Sequence, residues 1–174
     1  MKRVQKILPY VSGVMVAAVV VLGVGQYFSA KKCKLKLLNV LYNNWVQYRT
    51  DHNGNWPNDI VTVAGAFPGM GFVETNLQKL AWRVSCPGRG KKAGRGPGTD
   101  QFFGDYHYVN WSVYFGTNEA PSGFPLFYDK SLANHRGLGV NIITVEGRAF
   151  WDFRGHWIKK FAEEHPEYDI PLPK

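Results

Sequence analysis

The side chains with the most chemistry to offer are two cysteines, five histidines and thirteen carboxylates in a chain of 174 residues. Cys33 and Cys86 form an even pair, which in an oxidising compartment is a disulfide candidate; two unpaired buried thiols are the alternative. Without a CxxC or a nearby CxxH they supply too few soft ligands for a metal, so neither a metal nor any other cofactor is expected. HExxH, GxSxG and EF-hand patterns are absent from the sequence, and the chain is read as a non-enzyme with no catalytic residue. The nearest approach to a constellation is Asp129, Asn134, His135 and Glu146, flanking the last pair of expected strands. Such a set can converge on a cation or a polar ligand, or simply hold a turn by hydrogen bonds. Asp51, Asn53 and Asn55 alternate like the start of a Ca²⁺ loop, but no glutamate closes it, and a turn is the better reading.

These residues need elements to hold them. Ile7 to Ala30 is an uncharged, apolar run of about 36 Å as a helix, enough to span a bilayer core. A signal peptide is the rival reading, disfavoured by the length of the run and by Phe28-Ser29-Ala30 where small residues are wanted. Residues 1–30 are therefore expected to be a transmembrane anchor, with Ile7 and Leu22 in lipid and Tyr10, Tyr27 and Phe28 at its interfaces. Leu35, Leu38, Leu41, Trp45 and Tyr48 recur at helical spacing, so residues 31–52 are expected to continue the same helix with one apolar face. Gly54 and Pro57 stop it. Residues 53–174 then read as a small β-rich head, with strands at Ala81–Ser85, Tyr106–Phe115, Pro125–Tyr128, Val140–Val145 and Arg148–Phe153. Glu146-Gly147 is expected as a two-residue hairpin turn between the last two. The Gly- and Lys-rich stretch Pro87–Gly98 reads as an exposed loop and not a P-loop. A short helix around Trp157 and an extended tail from Ile170 complete the chain.

Charge separates partners. The formal net charge is +8, yet residues 1–36 hold seven of the 21 basic groups and none of the 13 acidic ones. The rest of the chain is nearly neutral, so the basic excess flanks the apolar run and points to anionic lipid headgroups, not to nucleic acid. Six Trp, nine Tyr and eleven Phe are more than a small head readily buries. Trp151, Phe153, Trp157 and Phe161 therefore form either an interface patch or part of an aromatic core.

The order of anchor helix, Cys33-Lys34-Leu35-Lys36-Leu37-Leu38 and Tyr48-Arg49-Thr50-Asp51-His52-Asn53-Gly54-Asn55-Trp56-Pro57 resembles type II secretion pseudopilins and the related pilin-like proteins of planctomycetes and verrucomicrobia. Ser85-Cys86-Pro87 is similar to their Cys-Pro-Ser motif, and Tyr106-His107-Tyr108-Val109-Asn110 to their Ser-Tyr-x-Tyr-Asn strand. His135 through Glu146-Gly147-Arg148 is similar to their His-to-Asp-Gly ending, with Glu for Asp and one residue more between. The resemblance covers roughly residues 7–153. It implies an α+β, pilin-like fold: a long N-terminal transmembrane helix whose amphipathic half packs on a small antiparallel sheet. The family's processing motif, Gly-Phe-Thr-x-x-Glu, is replaced here by Gln5-Lys6-Ile7-Leu8-Pro9, and no acidic residue precedes Asp51.

The expected function is a non-catalytic, single-pass membrane protein with a periplasmic or extracellular head, acting as an accessory or scaffold subunit of a larger complex. A pseudopilin of a secretion or pilus-like system and a tethered carbohydrate- or ligand-binding module are the alternatives.

Overall fold

A computed structural model describes residues 20, 21, 24, 25, 27–65, 83–86, 104–116 and 120–174. Most of the predicted anchor, including Ile7, Tyr10 and Leu22, lies outside them, and among the described residues no helix is long and apolar enough to cross a membrane. Residues 27–51 form one helix, α1, containing a wide π turn at Leu37–Tyr42 before Asn43–Asp51 returns to α geometry. Tyr27 and Phe28 are exposed at its start.

The buried stripe of α1 is Cys33, Leu37, Leu41 and Trp45. This corrects the expected phase, since Leu35 is 44% exposed. A strict four-residue repeat drifts around an α-helix by about 40° per step. The π turn, where the Asn43 N–H reaches back to the Leu38 carbonyl, takes up that drift and keeps the row facing the head. The helix stops as expected: Gly54, at φ 83°, donates its N–H to the Arg49 carbonyl at 2.7 Å. A short helix, α2 (Ile60–Gly65), is tied to α1 by Asn44 Nδ2 donating to the Val63 carbonyl at 3.2 Å.

The head carries a four-stranded antiparallel meander: β1 (Tyr106–Tyr108), β2 (Pro125–Asp129), β3 (Gly139–Thr144) and β4 (Ala149–Phe153). The fold class is α+β. Two expectations fail here. The strand expected to run from Tyr106 to Phe115 ends after three residues, because Asn110 Oδ1 accepts from Ser112 N and Oγ at 3.0 and 2.7 Å and turns the chain into one helical turn, α3 (Ser112–Phe115). Arg83–Ser85 is not a strand either. The β3–β4 connection, expected as the two-residue turn Glu146-Gly147, runs instead over four residues, Val145–Arg148, with the Thr144 N–H donating to the Arg148 carbonyl at 3.0 Å and Gly147 at φ 83°.

The sheet is covered on both faces, and strand alternation sorts its side chains. Asn141, Ile143, Trp151 and Phe153 share the face turned to α1. Phe150 and Asp152 share the other, where α4 (His156–Glu164) packs. Asp152 explains why α4 starts where it does: its carboxylate accepts from the Trp157 and Ile158 N–H groups at 2.9 and 3.0 Å, taking the place of a side-chain cap. The C-terminal tail returns to the end of β2, with Lys174 N–H donating to the Lys130 carbonyl at 3.0 Å and the Tyr128 hydroxyl to the Pro171 carbonyl at 2.7 Å.

Candidate functional site

Cys33 on α1 and Cys86 in the Arg83–Cys86 segment form a disulfide, as the pairing of the two cysteines predicts, with Cα atoms 5.6 Å apart across 53 residues of sequence. Both cysteines are fully buried. Beside them lies a polar cluster in the interior. Asp129, at the end of β2, places one carboxylate oxygen 2.7 Å from the Asn141 N–H, 3.2 Å from Asn141 Nδ2 and 3.1 Å from His135 Nε2. Its other oxygen accepts from Asn134 Nδ2 at 3.5 Å. His135 Nε2 also stands 3.7 Å from Cys86 Sγ. Asp129, Asn134, His135 and Asn141 are each at least 97% buried.

Local sequence explains this convergence. Ser131 Oγ accepts from Ala133 N–H at 3.1 Å and starts the 3₁₀ turn Leu132–His135, which projects Asn134 and His135 inward. Arg136 and Gly137, both at positive φ, then reverse the chain into β3 so that Asn141 faces the same point. Asp105 closes the far side: its carboxylate accepts from Cys86 N–H at 2.8 Å and its carbonyl from Asn134 Nδ2 at 3.3 Å. Burial, with Asp129 and Asp105 nearby, pushes the Tyr106 hydroxyl well above the usual tyrosine range, so it remains a donor to the Ser85 carbonyl. Lys36 reaches the same segment, its Nζ 2.7 Å from the Ser85 carbonyl; burial pulls its pKa down to about 8, with Asp105 opposing.

Of the four polar residues read from the sequence, three meet. Glu146 does not: it sits at the opposite end of β3, accepting from Gly123 N–H at 3.0 Å. Asn141 and Asp105 take its place; Asn141 lies within the stretch compared to the family's His-to-Asp-Gly ending but is not among the expected site residues, and Asp105 stands in no motif. The four aromatic residues read as either an interface patch or part of an aromatic core are split by the pleat of β4. Phe161 is buried in a ring cluster around Trp111 and Phe124, and Trp157 stacks on it at 5.4 Å. Trp151 and Phe153 lie across the sheet. There, with Tyr27, Lys31, Lys34, Leu35, Leu138 and the His135 ring, they line a groove of about 610 Å³ between α1 and the sheet. His135 Nδ1 and Asn134 Oδ1 are buried and meet no hydrogen-bond partner among the described residues.

The arrangement can fix a helix to a sheet, bind at a partly apolar groove and gather a disulfide, an imidazole and a carboxylate at one point. No protein-family model, no curated protein and no solved structure matches the chain.

Proposed function

We propose that the chain is a membrane-anchored, pilin-like accessory or scaffold subunit of a larger assembly, with its head on the oxidising side of the membrane. The observation that carries this reading is that α1 begins within the last residues of the apolar run and is clamped to the head by Cys33–Cys86. A disulfide suits an extracytoplasmic compartment. The groove supports a partner surface: Tyr27, Leu35, Leu138 and Phe153 are 65, 44, 42 and 55% exposed beside Lys31 and Lys34. Lipid is met through the N-terminal helix and its basic flanks, and other protein subunits through the head. Nucleic acid has no part in the reading.

Purification from membranes in mild detergent tests it. A partner at fixed stoichiometry is the expected result, and recovery as a monomer without one contradicts it. Mass spectrometry of the native N-terminus separates the runner-up, since a pseudopilin proper is trimmed and usually N-methylated.

A further inference from the structure

The disulfide, His135 and Asp129 invite a question about the reduced protein. One donor atom from each of Cys33, Cys86, Asp129 and His135 lies within 4.8 Å of the other three, and all four residues are buried. We propose that, when the disulfide is reduced, these four residues form a tetrahedral site for Zn²⁺, so that the same point in the fold holds either a disulfide or a zinc dithiolate. The inference is independent of the membrane reading, because it concerns only the interior of the head and α1.

Geometry favours it. With zinc bonds of about 2.0–2.3 Å, tetrahedral ligands stand roughly 3.4 Å apart for imidazole nitrogen and carboxylate oxygen and roughly 3.6 Å for nitrogen and sulfur. His135 Nε2 is already 3.1 Å from Asp129 and 3.7 Å from Cys86 Sγ. Two thiolates on one zinc stand about 3.8 Å apart, within reach of side-chain rotation for cysteines whose Cα atoms are 5.6 Å apart. The outer ligands are in place as well: Asn141 and Asn134 donate to the Asp129 carboxylate and would hold it in position under a metal.

Charge favours it too. A disulfide is neutral, and one Zn²⁺ with two thiolates is also neutral. The exchange therefore leaves the net charge of the buried cluster unchanged, avoiding the cost of a new uncompensated charge in the interior. A tertiary phosphine supplies the reduction: disulfide, phosphine and water give two thiols and the phosphine oxide. Zinc then displaces the two thiol protons to solvent. Cys33, Cys86 and the Asp129–His135 pair are far apart in sequence and form no CxxC, and only the fold brings the three together.

The test uses the full chain in mild detergent, reduced with a phosphine because dithiols chelate zinc, and dialysed against Zn²⁺ or Co²⁺. The expected result is one zinc per chain after reduction and none in the oxidised protein. The cobalt form should show thiolate-to-metal charge transfer in the near ultraviolet and tetrahedral bands in the visible. Both cysteines should alkylate at least about tenfold more slowly with metal than without. His135→Ala, purified oxidised so that the disulfide holds the fold, should lose at least about tenfold in zinc affinity once reduced, while His52→Ala on the surface should not. Four results each overturn the proposal: no zinc bound beyond the oxidised control, cysteines equally reactive with and without zinc, equal affinity in His135→Ala, or a reduced chain that stays unfolded whether or not zinc is present.

Discussion

The two faces of the sheet are stabilised by different means. Toward α1, the head is held by a disulfide and a buried carboxylate that gathers donors from two segments, the Leu132–His135 turn and β3. Toward α4, Trp111, Phe115, Phe124, Phe161, His165 and Tyr168 pack ring against ring, most of them edge-on or tilted at 4.7 to 6.4 Å. The first device is specific, since donors of three residues converge on one carboxylate. The second is distributed, since dispersion over many rings tolerates the loss of any one. The specific device stands where α1 meets the head, at Cys33 and Cys86.

That contrast is broken most severely by replacing both cysteines with serine. Closing 53 residues contributes on the order of 4 kcal/mol in the chain-entropy estimate, and denaturant unfolding of the double variant against wild type should show a loss of that size. Next comes Asp129→Asn, nearly isosteric, which turns an NH₂ toward donors that need an acceptor. A loss of roughly 3 kcal/mol is expected, from buried donors left unpaired. Phe161→Leu, on the aromatic face, should cost only about 1 kcal/mol. If the last two variants lose equal stability, the contrast between the faces is wrong.

How much of this was legible in sequence follows the range of the cause. The stop at Gly54, the β3–β4 hairpin and the disulfide partners rest on local rules or on a pair with no competing partner. The failures lie where side chains choose between neighbours. Asn110 bends the chain by its own hydrogen bonds and ends β1, and the π turn shifts the phase of α1 so that Leu35 turns outward. The polar site was seen in part because Asn134 and His135 sit six residues or fewer from Asp129. Asn141 joins it through strand pairing, and Asp105 through the folded position of Cys86, neither of which any spacing encodes.

Smaller effects sharpen the picture. Gly147→Ala places a methyl group about 2.7 Å from the Tyr42 ring at a positive φ, and a loss of roughly 1–3 kcal/mol is expected in the same unfolding assay. His107 carries the pH dependence of the β1 edge. Burial, with Lys130 and Lys174 nearby, lowers its pKa from 6.5 to about 4, so the folded state holds it neutral where the unfolded chain takes up a proton. Stability from this group is fully present above pH 6.5 and falls as the pH drops toward 4. Partial exposure limits the loss to on the order of 1–2 kcal/mol. His107→Gln should flatten that part of the stability curve, and an unchanged slope would assign it to another group.

Hydrogen exchange on the full chain in detergent, oxidised and phosphine-reduced in the absence of metal, tests most directly whether the disulfide locks the head to α1. Reduction should speed exchange in the first turns of α1 and at residues 83–86 while leaving α4 and the aromatic face as protected as before. Uniform loss of protection across the head, or none at all near Cys33, would contradict the lock.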